Sequence, residues 1–113
     1  MGRLINGNWI TGSIITSDKK GRFVRIPRSF RDKISKKGPY YPESGRYHLY
    51  VSYACPWAHR TLIYRLLKEL QDHITVSVVH PDMMDQGWTF ETGLTDTTGD
   101  ELYNYSHLYK IYQ

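Results

Sequence analysis

Cysteine is almost missing from this sequence: 113 residues hold one, Cys55. An internal disulfide is thereby excluded, and nothing points to an oxidising compartment. No apolar run approaches the roughly 20 residues of a membrane span. The opening MGRLINGNW lacks the apolar core of a secretory signal, so a cytoplasmic location is expected. No Gly-rich loop follows a strand into a helix, which argues against a nucleotide site. The histidines, at 48, 59, 73, 80 and 107, show no metal-ligand spacing and have no cysteine pair beside them, so no metal site is expected.

Acidic residues are scarce in one stretch. Between Lys19 and Lys37 there are nine Lys and Arg against one acid, Asp32, while the rest of the chain is mildly acidic. A basic arm of this kind serves either as a polyanion contact or as a solvated extension that packs on its own body or on a partner subunit. Only Phe23 and Phe30 offer stacking surfaces among these cations, which disfavours single-stranded nucleic acid. The expectation is no nucleic-acid partner and no membrane partner, with a homo-oligomer left open.

Residues 1 to 45 read as an irregular extension, because glycines and prolines keep interrupting regular structure. Within it, RFVRI (22 to 26) suits an isolated strand or an extended arm, and Ser29 to Lys36 suits a helical turn. KKGPYYPESG (36 to 45) is a loop by composition.

The pattern sharpens at residue 46. RYHLYVSYA (46 to 54) alternates Tyr47, Leu49, Val51 and Tyr53 with His48, Tyr50 and Ser52, which predicts a strand. Leu62, Ile63, Leu66, Leu67 and Leu70 then recur at helical spacing, with Pro56 suited to the first helical position. HITVSVV (73 to 79) is a second, β-branched strand. Strand, helix and strand predict a right-handed parallel crossover unit. A long loop follows, with Met83 and Met84 read as packing residues. Leu102, Tyr105, Leu108, Tyr109 and Tyr112 then predict the start of a second helix. The fold class is α/β, strand-helix-strand-helix over 46 to 113.

Cys55 falls where the first strand gives way to the helix. Unpaired N–H groups and the positive end of the helix dipole meet there, and cysteines so placed are the reactive kind. Arg60 and His59 add positive field if they point toward the sulfur. The alternative is a buried cysteine acting as a small apolar residue, the commonest fate of a free one. Ala58 stands three residues on, so this is no CxxC dithiol, and a lone thiol needs an external thiol to resolve its adducts.

YHLYVSYACPWAHRTLIYRLLKEL, followed by SVVHPDM and GWTF, resembles the glutathionyl-hydroquinone reductases, the Xi-class glutathione transferases. GRFVRIPRSFRDKI and TGDELYNYSHLYKIY carry the likeness over nearly the whole chain. The resemblance implies a thioredoxin-like fold, with Cys55 matching the catalytic cysteine and glutathione as co-substrate. The thiolate would displace a hydroquinone from glutathionyl sulfur, and a second glutathione would resolve the mixed disulfide. Trp88 in GWTF matches a tryptophan of the glutathione site. Trp57 and Arg60 lie in the motif, one packing near the cysteine and the other acting through its charge or an ion pair. On the residues alone, Trp88 equally serves to pack the long loop, and Tyr53 reads as packing.

Family members continue with a valine-proline segment, a Glu-Ser pair and a helical second domain, none of which lies before Gln113. The sequence therefore reads as an incomplete thioredoxin-like domain, expected to bind glutathione weakly and turn over little. The competing reading is a non-catalytic thioredoxin-like binding fragment.

Overall fold

The computed structural model describes residues 1–13, 15–25, 27–94 and 96–113. The Ile26 end of the RFVRI alternation and Thr95 of the long loop lie outside the described residues. At the centre is a strand-helix-strand unit: β3 (Tyr47–Val51), α1 (Pro56–Leu67) and β4 (Ile74–Val78). β3 and β4 pair in parallel with Tyr47 opposite Ile74 and Val51 opposite Val78, as the crossover reading requires. Arg65 fastens the end of α1 to the start of β4. Its Nε donates to the Ile74 carbonyl at 2.7 Å and its Nη2 to the Gln71 carbonyl at 2.9 Å. Helix and sheet are thereby set before the second strand begins.

The buried apolar side chains are few: Val51, Val78, Val79 and Phe90. They gather at the carboxyl ends of β3 and β4, where Phe90 also meets the Tyr50 ring edge-on with centroids 5.6 Å apart. Helix α1 buries no residue, and Ile63, Tyr64, Leu66 and Leu67 stand exposed on it. Its apolar periodicity is real, but no described element covers that face. Among the described residues no helix is long and apolar enough to cross a membrane.

Three expectations need correction. The first residues are not irregular, because β1 (Gly2–Ile5) and β2 (Asn8–Thr11) form an antiparallel hairpin. Asn6 and Gly7, with φ of 50° and 77°, make its two-residue turn. Two positive φ values in succession are the mark of a type I′ turn, which Asn-Gly favours. Second, Ser29 to Lys36 contains no helical turn; Ile34 instead makes a single bridge with Tyr40. Phe23 likewise forms one bridge, to Ser17, so the segment is an extended arm and not a strand of a sheet.

Third, the second helix is reduced to a 3-10 helix, Leu108–Tyr112. The residues before it are held otherwise. The Asp100 carboxylate accepts from the backbone N–H of Leu102, Tyr103 and Tyr105 at 3.0, 3.3 and 3.0 Å. Asn104 takes a φ of 57°, and the Ser106 carbonyl accepts from Phe90 N–H at 3.0 Å. A side chain and a loop have claimed the groups that an α-helix would have paired internally. The long loop is also less bare than its composition suggests. It carries β5 (Met83–Met84) and β6 (Gly87–Trp88), and buries Gly87, Thr89, Phe90, Gly99 and Asp100.

Candidate functional site

The site is built where β3 ends. Val51 and Ser52 are buried, and the Ser52 carbonyl accepts from Cys55 N–H at 3.0 Å while its hydroxyl accepts from Ala54 N–H at 3.2 Å. This tight turn swings the chain from the strand into α1. Cys55 is the residue immediately before the helix, with extended dihedrals (φ −98°, ψ 111°), and Pro56 takes the first helical position. The Cys55 carbonyl accepts from His59 N–H at 3.1 Å, so its backbone is committed to the first turn. Its side chain caps nothing, the first turn of α1 contains no acid, and the thiol is half-exposed. Cys55 is therefore neither fully buried as filler nor tied up as a cap.

A cavity of about 510 Å³ opens beside this turn. Tyr53 and Ala54 line it from the turn after β3, Val78 and Val79 from the end of β4 and the residue after it, and Leu94 and Thr97 from the loop. It lies outside the carboxyl ends of two parallel strands, the place where open α/β sheets bind ligands. The Thr98 side chain donates nothing to this space; it accepts from Val78 N–H at 2.8 Å and holds the loop against β4.

Cys55, Trp57, Arg60 and Trp88 do not themselves line this cavity. Trp57 and Arg60 come together on α1, the guanidinium 4.9 Å from the indole centroid. Both are exposed, and the charge of Arg60 is drawn over the ring. Trp88 sits in β6 and lines a second cavity, of about 210 Å³, together with Trp9, Tyr109 and Tyr112. Cys55, Trp57 and Arg60 do not border that cavity. Among the described residues no group of His, Cys, Asp or Glu could hold a metal ion.

One cluster was not foreseen. On the opposite face of β3, His48 exchanges hydrogen bonds with Thr75 (Nδ1, 2.6 Å) and the fully buried Ser77 (Nε2, 2.8 Å) of β4. Tyr50 donates to Asp100 at 2.9 Å. Burial lowers the His48 imidazole from its usual range, against the opposing pull of Glu101 and Asp100. Burial and the Asp100 carboxylate raise the Tyr50 phenol. At Asp100 burial pulls the other way, yet the N–H groups of Tyr105 and Leu102, the Tyr50 hydroxyl and Tyr103 N–H bring the carboxyl below its ordinary value. The period-two alternation announced which face these residues share, but their partners at 75, 77 and 100 are distant in sequence.

Residues 54–108 match the family described as glutathione S-transferase, N-terminal domain. The chain is 46% identical over 120 residues to the glutathionyl-hydroquinone reductase YqjG of Escherichia coli, covering 99% of this chain and 37% of that protein. It superposes on the Xi-class glutathione transferase of Natrialba magadii with a TM-score of 0.81, at 39% identity over 99% of this chain and 33% of that one. The glutathione-bound structure of Escherichia coli YqjG matches with a TM-score of 0.65 and 54% identity, over 69% of this chain and 25% of that one. The chain thus spans about a third of the length of the relatives it matches.

Proposed function

Because this chain belongs to the Xi-class glutathione transferases, the glutathionyl-hydroquinone reductases, and corresponds to about a third of their length, we propose that it carries the nucleophilic half of a glutathione-dependent thiol reduction. Cys55 is the nucleophile. Its thiolate attacks the sulfur of a glutathionyl-hydroquinone, forming an S–S bond as the carbon–sulfur bond breaks. The aromatic carbon keeps the bonding electron pair and takes up a proton, so the hydroquinone leaves reduced and the cysteine is oxidised to a mixed disulfide with glutathione. A second glutathione thiolate attacks the glutathionyl sulfur, releasing glutathione disulfide and returning the Cys55 thiolate. No other redox partner is required.

The observation that carries this reading is the station of Cys55: half-exposed at the mouth of α1, uncapped, and beside a cavity at the carboxyl ends of β3 and β4. Oriented N–H groups at a helix mouth stabilise a sulfur anion both before attack and when it is the leaving group. The tripeptide end of the substrate suits the cavity, whose lining joins Tyr53, Asp96 and Thr97 to Ala54, the neighbour of Cys55. Trp88 is assigned to the glutathione side by its GWTF motif, with Trp57 and Arg60 flanking the helix mouth.

The test is intact-mass analysis after exposure to glutathione disulfide. The expected result is one glutathionyl adduct, removed by excess glutathione and missing from Cys55→Ser. A wild-type chain that stays unmodified under conditions in which free cysteine exchanges would refute the proposal.

A further inference from the structure

The N-terminal hairpin is docked on the segment that carries Trp88, and one side chain makes most of the connection. Trp9 Nε1 donates to the Asp85 carbonyl, in the turn between β5 and β6, at 2.9 Å. The indole stacks on Tyr109 of the 3-10 helix, with ring centroids 5.1 Å apart and planes inclined by 24°. Two glycines make room for it. A Cβ on Gly87, whose φ is 81°, would lie 2.7 Å from Trp9 Cη2, and one on Gly2 would lie 2.7 Å from Trp9 Cζ2. The terminal ammonium of Met1 donates to the Met84 carbonyl at 2.6 Å, so the hairpin grips β5–β6 at both residues of the turn's entry.

We propose that Trp9 is a positioning residue for the glutathione site: it fixes the β5–β6 turn and thereby the orientation of the adjacent Trp88. This rests on the assignment of Trp88 to glutathione in the preceding section. The physical basis is the small size of β5–β6. A pair of two-residue strands cannot hold its own register, since isolated hairpins are marginal even when longer. Its geometry must be imposed from outside, and Trp9 supplies both a directional hydrogen bond and a close-packed ring at Gly87, the residue before Trp88.

The experiment uses the full chain and follows glutathione binding by isothermal titration calorimetry, with Cys55 alkylation by iodoacetamide as a parallel readout. Trp88→Ala is the reference. Trp9→Phe keeps the stacked ring but loses the N–H, and is expected to weaken glutathione about fivefold, the worth of one neutral hydrogen bond. Gly2→Ala, whose Cβ would meet both the Ile10 carbonyl at 2.5 Å and Trp9 Cζ2 at 2.7 Å, is expected to displace the hairpin with its indole and weaken binding further. In both variants the alkylation rate of Cys55 should stay unchanged, which general unfolding would not permit. If Trp88→Ala weakens binding while Trp9→Phe and Gly2→Ala do not, the positioning role is overturned and the Trp88 assignment survives. If Trp88→Ala itself has no effect, both fall.

Discussion

At the scale of single residues, the polar cluster behind β3 makes the fold sensitive to pH in both directions. His48 titrates lower in the folded chain than its ordinary 6.5, chiefly because it is buried. The unfolded chain therefore binds a proton first as pH falls, and stability declines as pH drops below about 6.5 through the folded value. Tyr50 is raised above its ordinary 10.0, so the unfolded chain loses its proton first and stability declines as pH rises past that point. Asp100 is net lowered, and its contribution is lost only as pH falls below its ordinary 3.8. Thermal melts should show a plateau at neutral pH with a shoulder of loss on each side. Tyr50→Phe should remove the alkaline loss, and His48→Gln should flatten the decline that begins below pH 6.5. An unchanged acid limb in His48→Gln would contradict the burial of that imidazole.

At the scale of elements, legibility followed the range of the interactions. β3, α1 and β4 are governed by local periodicity and by Pro56, and they emerge where the pattern put them, α1 ending at Leu67 in place of Leu70. The N-terminal hairpin was also written locally, in LINGNWI, where Asn6-Gly7 sits between alternating residues. Frequent glycine obscured that signal. Gly7 has open space around it, so Gly7→Ala meets no clash, but its φ of 77° strains any side chain. The expected cost is about 1 kcal/mol in denaturant unfolding. Asn6→Gly should be tolerated. The loss of the second helix had one local sign, Asp100, whose carboxylate takes the N–H groups two, three and five residues on, and one distant cause, the Phe90 N–H bound to the Ser106 carbonyl.

At the scale of the whole molecule, this chain is more open than its length requires. Its radius of gyration is 15.9 Å, whereas a compact domain of this size has about 13 Å. An extended, exposed arm accompanies this openness, and α1 also lacks cover: Ile63, Leu66 and Leu67 are 43, 63 and 69% exposed. An apolar face of this kind binds hydrophobic dyes and associates readily. The native protein should therefore enhance the fluorescence of anilinonaphthalene sulfonate. Ile63→Lys with Leu66→Glu should abolish that signal while changing stability by no more than about 0.5 kcal/mol, as surface substitutions do. Val51→Ala, by contrast, removes two buried methyl groups and should cost about 2 kcal/mol. A large loss of stability in the helix double variant would mean that this face is packed in solution.

The sequence by itself determined the parallel strand-helix-strand unit, the position of Cys55 at the helix mouth, and the likeness to glutathione transferases. All three depend on side-chain spacing, turn chemistry and a short motif, which act between near neighbours. Tertiary structure alone decided the docking of Trp9 on the β5–β6 turn, the binding of His48 to Thr75 and Ser77, and the pairing of Tyr50 with Asp100. Those contacts join residues up to 76 positions apart. Their energies depend on burial and on partners that meet only after the chain has closed its loops, so no local pattern could announce them.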